Sequence, residues 1–143
     1  MRSLLLLPLL LTACARQDEP AAPPPEPPAL TLARVLLDGA SCAFSPAVNE
    51  ASLLAVDQRR GRARGEARPG GGELIELNGT AAGDLLGGVQ LEGSGLTIAV
   101  QPADLPGVPV GASGIRRAAR LTAATPDGGS VEIEGVWSCS FGR

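Results

Sequence analysis

Glycine and proline interrupt this chain so often that no long regular element fits between them. The 143 residues include 19 glycines and 13 prolines, whereas aromatic residues make up only 2%. This turn-rich composition argues against a helical bundle. Strand-sized apolar runs recur roughly every 10 to 20 residues between the turns, which is typical of an antiparallel sandwich or barrel. We therefore predict a small all-β domain, an antiparallel β-sandwich or barrel with a core of Leu, Val, Ile and Ala.

The clearest strand pattern is a hairpin near the C-terminus. It rises over residues 116–124, turns at 125–129 and returns over 130–139. The turn is Thr-Pro-Asp-Gly-Gly, in which Pro presets φ, Asp bonds its own backbone and Gly accepts a positive φ. One face of the return strand carries Val131, Ile133, Trp137 and Cys139. Further strands are predicted at residues 73–77, 88–92 and 96–101, and residues 52–56 are a short apolar run. Residues 30–37 fit either a strand or a short helix.

The N-terminus has the layout of an export signal. Arg2 precedes an apolar run over residues 4–11, and small residues follow, which is the order of the charged region, the apolar region and the cleavage site. The run is too short to remain in a bilayer as a spanning helix, which needs about 20 apolar residues. Its end, Leu11-Thr12-Ala13-Cys14, resembles the lipobox of bacterial lipoproteins.

This resemblance implies that a diacylglyceryl group is transferred to the Cys14 thiol, that residues 1–13 are removed as a signal peptide, and that the new amino terminus is acylated, typically with palmitate. Two or three acyl chains hold a soluble domain durably on a membrane. The residue after the cysteine is Ala15 and not the Asp that marks inner-membrane retention in two-membrane bacteria. The resemblance therefore implies the outer membrane, with the domain facing the periplasm. The alternative is an ordinary secreted protein in which Cys14 merely lies near the cleavage site.

Residues 14–28 are expected to connect the lipid to the folded domain. After the cysteine they read Ala-Arg-Gln-Asp-Glu-Pro-Ala-Ala-Pro-Pro-Pro-Glu-Pro-Pro, and proline at this density builds neither a helix nor a strand ladder. We predict a disordered, polyproline-like tether, and a proline-motif ligand is the alternative. Residues 29–143 then form a single β domain.

The chain contains three cysteines, and lipid on Cys14 leaves Cys42 and Cys139. Export places these two in an oxidising compartment, so we predict a disulfide that joins the start of the domain to its last strand, with Trp137 beside it. A reactive thiol and a metal site are the alternatives. Two cysteines in a chain without histidine make a poor zinc site.

Residues 58–72 are the most basic segment, and they carry the candidate contact residues Arg59, Arg60, Arg62 and Arg64. Guanidinium groups bind phosphates and carboxylates, so the segment is a candidate contact for lipid head groups, lipopolysaccharide phosphates or an acidic partner. The alternatives are a long solvated connection, or two strand ends whose charges protect a sheet edge. Nucleic acid is not expected, because no aromatic residues are interleaved with the arginines.

The residue types needed for catalysis are largely missing. Without histidine there is no Ser-His-Asp triad and no imidazole ligand. The acidic pairs Glu73/Glu76 and Glu132/Glu134 are expected on solvated faces. We predict no catalytic residue, no cofactor and no metal, and hence not an enzyme. The expected function is that of an envelope lipoprotein with a binding or structural role, with an envelope protein as a possible partner.

An inhibitor is the alternative function. Residues 111–116 read Gly-Ala-Ser-Gly-Ile-Arg and are similar to the Ser-Gly loop of small β lipoproteins that inhibit lysozyme, although the aromatic residue that follows in that family is missing. The resemblance implies an inhibitor of a cell-wall hydrolase.

Overall fold

The computed structural model describes residues 20–26, 29–36, 39–81 and 83–141. The described residues contain no α-helix; one 3₁₀ turn, Leu85–Gly87, precedes the sixth strand. The strands are β1 (Leu32–Ala33), β2 (Cys42–Ser45), β3 (Leu54–Arg59), β4 (Arg62–Pro69), β5 (Ile75–Ala81), β6 (Val89–Gly93), β7 (Leu96–Pro102), β8 (Val108–Val110), β9 (Gly114–Ala124) and β10 (Ser130–Ser140).

Eight of these strands close into an antiparallel barrel. Going round the barrel, the order is β2, β3, β4, β5, β6, β7, β9 and β10, and β10 pairs back to β2. β1 pairs with the last residues of β4, and β8 pairs with the first residues of β9. The all-β prediction is confirmed, and the domain is a barrel and not a sandwich.

The barrel interior is filled by side chains. Along β7, for example, Leu96, Ile98 and Val100 are buried whereas Thr97 and Gln101 are exposed, because successive side chains of a strand point to opposite faces. Trp137 is the largest of the fully buried side chains. An eight-stranded barrel is just wide enough for its side chains to fill it, so the interior is a packed core and ligand contacts must form on the outside.

Glycine allows two strands to approach closely. A Cβ at Gly79 of β5 would lie 1.9 Å from the Gln90 carbonyl oxygen of β6, and one at Gly135 of β10 would lie 2.3 Å from the Ser45 carbonyl oxygen of β2. Glycine inside a strand marks such close backbone approaches. These two positions let the small barrel close around its core.

The C-terminal hairpin confirms its sequence prediction. β9 and β10 pair along their whole length, and the Gly129 amide donates a hydrogen bond of 3.2 Å to Asp127 Oδ1. Gly128 has a φ of 92°. The residues predicted to share one face, from Val131 to Cys139, point into the core or pack against it.

Residues 58–72 are not a long connection, and that interpretation of the sequence is wrong. β3 and β4 form a hairpin with a two-residue turn, in which Arg60 has a φ of 51° and Gly61 a φ of 77°. Two positive φ values are the requirement of a type I′ turn. Of residues 30–37, only Leu32–Ala33 form a strand, and residues 37–38 lie outside the described part.

The barrel has two unlike ends. The tether end is where β1 joins, and it holds the turns at residues 46–53, 70–74, 94–95 and 125–129. The distal end holds the Arg60–Gly61 turn, the 3₁₀ turn, and the connections 103–107 and 111–113. β1 is the first strand of the chain, so the chain enters the barrel at the tether end.

Candidate functional site

The predicted disulfide is present. Cys42 of β2 and Cys139 of β10 face each other across the ladder, with their Cα atoms 4.0 Å apart and their sulfurs 2.05 Å apart. Both cysteines are buried in the core cluster that also contains Trp137. The bridge ties the first barrel strand to the last one. Cys14 lies outside the described residues, so its lipid attachment stays a prediction.

The candidate arginines lie on the outer wall and at the distal end of the barrel. Arg62 and Arg64 alternate along β4 with Ala63 and Gly65, whose positions face the interior. Arg59 is the last residue of β3, and Arg60 forms the turn. Arg59, Arg62 and Arg64 border a groove of about 370 Å³ across β3, β4 and β5, whereas Arg60 does not line it. The groove is lined by Gly39, Asp57, Arg59, Arg62, Ala63, Arg64, Glu66 and Asn78. We call it the guanidinium groove.

Two of the arginines in this groove are paired with acids. Arg59 Nε lies 2.8 Å from Asp57 Oδ2, and Arg64 Nη2 lies 2.5 Å from Glu76 Oε2. Arg62 stands directly opposite Arg59 in the ladder. Within the described residues Arg62 makes no ion pair and no side-chain hydrogen bond. The groove therefore contains two arginines at directly opposite positions of the ladder, of which only Arg59 has an acidic partner.

Asp57 organises this part of the wall. Ser41 Oγ donates a hydrogen bond of 2.7 Å to Asp57 Oδ1, and the Gln58 amide donates one of 2.9 Å to the same oxygen. The Ser41 hydrogen bond is the main cause that lowers the pKa of Asp57 below its usual value, with smaller contributions from Arg59 and Gln58. The carboxylate is thus held ionised, in the form that pairs with Arg59.

The lowered pKa predicts a pH dependence of stability. A carboxyl group whose pKa is lower in the folded state stabilises the fold above its unfolded pKa of about 3.9, and this contribution disappears as the pH falls through the folded value. We expect Asp57→Asn to cost about 1 kcal/mol of unfolding free energy at pH 7 and less at about pH 2.5. Urea titrations at both pH values measure this, with Asp104→Asn as an exposed control. A cost that is the same at both pH values would contradict the prediction.

Arg117 is a residue that sequence reasoning missed. It lies on β9 directly opposite Trp137, in the same alternation as the buried Ala119 and Leu121, so its side chain faces the distal mouth of the barrel. Its Nε is buried and has no hydrogen-bond partner, the one such side-chain atom in the part of the chain described. The sequence does contain a signal for it: Arg117 is a charged residue at a position where the alternation of β9 places core side chains.

The remaining candidates lie on exposed surfaces. Glu132 and Glu134 flank Arg120 on the outer wall, with carboxylate oxygens 3.5 and 2.7 Å from Arg120 Nε. Residues 111–113 form the exposed turn between β8 and β9 at the distal end, where the Ser113 carbonyl accepts a hydrogen bond of 2.7 Å from the Phe141 amide. No group of three or more metal-ligating side chains occurs within the described ranges.

Comparison with family models, with curated proteins and with solved structures finds no match for this chain. In the described residues, no helix has the length and apolar character to cross a membrane.

Proposed function

We propose that this chain is an envelope lipoprotein, anchored through lipid on Cys14 to the outer membrane and facing the periplasm, whose barrel is a non-enzymatic module that binds oxyanions. The lipobox-like end of the signal segment supports the anchor. The guanidinium groove supports the binding role.

The observation that carries the binding role is the facing pair Arg59 and Arg62. Like charges directly opposite each other in an antiparallel ladder are destabilising. Asp57 forms an ion pair with Arg59, whereas no described acid forms an ion pair with Arg62. A phosphate or carboxylate in the groove relieves this repulsion, because a guanidinium offers a planar pair of donors to two oxygens at once. Asn78, which also lines the groove, adds an amide donor.

The binding role is tested by thermal unfolding in inorganic phosphate. A ligand at ten times its Kd stabilises the folded state by about 1.4 kcal/mol, which raises the Tm of a domain of this size by about 5 °C or more. We expect this rise in phosphate, relative to sodium chloride of equal ionic strength. Arg62→Gln should abolish it. Arg120→Gln, which removes an arginine already held by Glu132 and Glu134, should keep it. An equal rise in both salts, or the same rise in Arg62→Gln, would contradict the proposal.

The anchor is tested by labelling cells with palmitate. The wild-type chain should incorporate the label and fractionate with the outer membrane, and Cys14→Ser should incorporate none. Ala15→Ser keeps the cysteine and should remain labelled. Label retained in Cys14→Ser would place the lipid elsewhere.

A further inference from the structure

Exposed apolar side chains are concentrated at the distal end of the barrel. Of the seven large apolar side chains that are exposed in the described residues, four lie at this end: Leu105, Val108, Val110 and Phe141. Leu105 and Val108 are 65% and 63% exposed. β8 carries both valines, and the Phe141 amide bonds to the turn that follows β8. Exposed apolar side chains grouped in this way mark an interaction site.

The two ends of the barrel also differ in charge. The turns and strand ends of the tether end hold six acids against two arginines: Glu50, Glu73, Glu76, Glu92, Asp127 and Glu132 against Arg34 and Arg68. The turns and strand ends of the distal end hold five arginines against three aspartates: Arg59, Arg60, Arg62, Arg116 and Arg117 against Asp57, Asp84 and Asp104. A molecule with this polarity orients itself in the field of a negatively charged surface, basic end first.

Arg60 occupies the tip of the distal end at a conformational cost. Its φ of 51° lies in the left-handed region, where Asn or Gly is favoured in a type I′ turn. An arginine there is less favourable for folding than Asn, so its presence at the tip is consistent with a contact made by its charge.

We infer that the distal surface, formed by Leu105, Val108, Val110 and Phe141 together with Arg60, Arg62 and Arg116, docks on an anionic lipid surface whose head-group phosphates fill the guanidinium groove. The inference rests on the proposed function, because it names the source of the oxyanion. Arg116 lies directly opposite Val108 in the β8–β9 ladder, and arginines next to exposed apolar side chains are typical of surfaces that insert between lipid head groups. A soluble acidic partner would match the arginines but would leave the apolar side chains without a role.

The tether is long enough for the distal end to face the membrane. Seventeen residues separate Cys14 from Leu32, and a polyproline-like chain of that length reaches about 53 Å at about 3.1 Å per residue. The longest strands have 11 residues and rise about 36 Å. An anchored barrel can therefore present either end to the membrane, and its charge selects the distal end.

The test measures vesicle binding without the lipid anchor. A chain that starts at residue 14 and carries Cys14→Ser is sedimented with vesicles of phosphatidylcholine alone and with vesicles containing about one third phosphatidylglycerol. We expect it to bind the anionic vesicles only. Arg60→Asn suits the turn better, so it should lower binding about fivefold without loss of stability. Leu105→Ser should lower binding several-fold.

Matched variants at the tether end are the controls. Leu74→Ser removes an exposed apolar side chain there, and Arg68→Gln removes an arginine; both should leave vesicle binding unchanged. Equal binding to both vesicle types, no binding, or an equal loss in the tether-end variants would overturn the inference. A chain that does not bind vesicles but forms a dimer, which Leu105→Ser dissociates, would also overturn the inference. The distal surface would then bind a second copy of the chain and not a membrane. If phosphate still stabilises the chain while vesicles do not bind it, the docking fails and the groove proposal stands.

Discussion

Replacing both Cys42 and Cys139 with serine is expected to remove much of the stability of the barrel. The bridge closes a loop with a sequence separation of 97 residues, and in the chain-entropy model a loop of about 100 residues contributes about 4.7 kcal/mol. Small domains have about 5 to 15 kcal/mol in total. The bridge joins β2 to β10, the strand pair that closes the barrel. Its loss therefore weakens the strand pairing with the longest sequence separation. Urea unfolding of the two proteins measures the difference.

Reduction provides the control for the serine substitutions. Reduced wild-type protein should unfold at the urea concentration of the double-serine variant, whereas the same reductant should leave that variant unchanged. If the reduced wild-type protein and the double-serine variant unfold at the same urea concentration, the loss of stability comes from the lost covalent bond and not from the packing of the serine side chains. A double variant that unfolds at the wild-type urea concentration would contradict the prediction.

The fold class follows from local features of the sequence, and the closure of the barrel does not. The turn at residues 125–129 specifies its own hairpin, since Pro, Asp and Gly each meet a requirement of the turn. Closure depends on the pairing of β10 with β2, whose facing cysteines are 97 residues apart, and no local pattern distinguishes that pairing from a sandwich. The disulfide follows from the sequence without geometry, because lipid on Cys14 leaves two cysteines and export places them in an oxidising compartment.

The groove could not be predicted from the sequence, because the composition of β4 does not show the pattern of a strand. Its inward positions are Ala63, Gly65 and Ala67, which are too small to give an apolar signal beside the charged residues that alternate with them. The facing arrangement depends on the Arg60–Gly61 turn. A two-residue turn fixes the strand register, and this register places Arg59 opposite Arg62. The four arginines were identified from the sequence, whereas their facing arrangement needed the hairpin.

Replacing Trp137 with alanine is expected to destabilise the barrel by about 3 to 5 kcal/mol. The side chain is 1% exposed, and truncation of a buried aromatic residue leaves a cavity that the surrounding core fills only in part. Its Nε1 also donates a buried hydrogen bond of 2.7 Å to the Leu85 carbonyl. That carbonyl accepts a second bond of 3.1 Å from the Gly88 amide, so the indole holds the 3₁₀ turn over the distal mouth. Trp137 is the one tryptophan, so unfolding is followed by circular dichroism.

A second substitution separates the hydrogen bond from the volume. Trp137→Phe keeps an aromatic ring in the core but removes the donor to Leu85, and it should cost about 1 to 3 kcal/mol. It should also speed hydrogen exchange at the Gly88 amide, because the 3₁₀ turn loses its tie to β10. Phe44→Leu is the control, since it reduces the volume of a residue that faces Trp137 across the ladder without removing a hydrogen bond. If Trp137→Phe and Phe44→Leu change the exchange rate of the Gly88 amide equally, the indole hydrogen bond has no measurable role. The volume of Trp137 then accounts for its whole effect on stability.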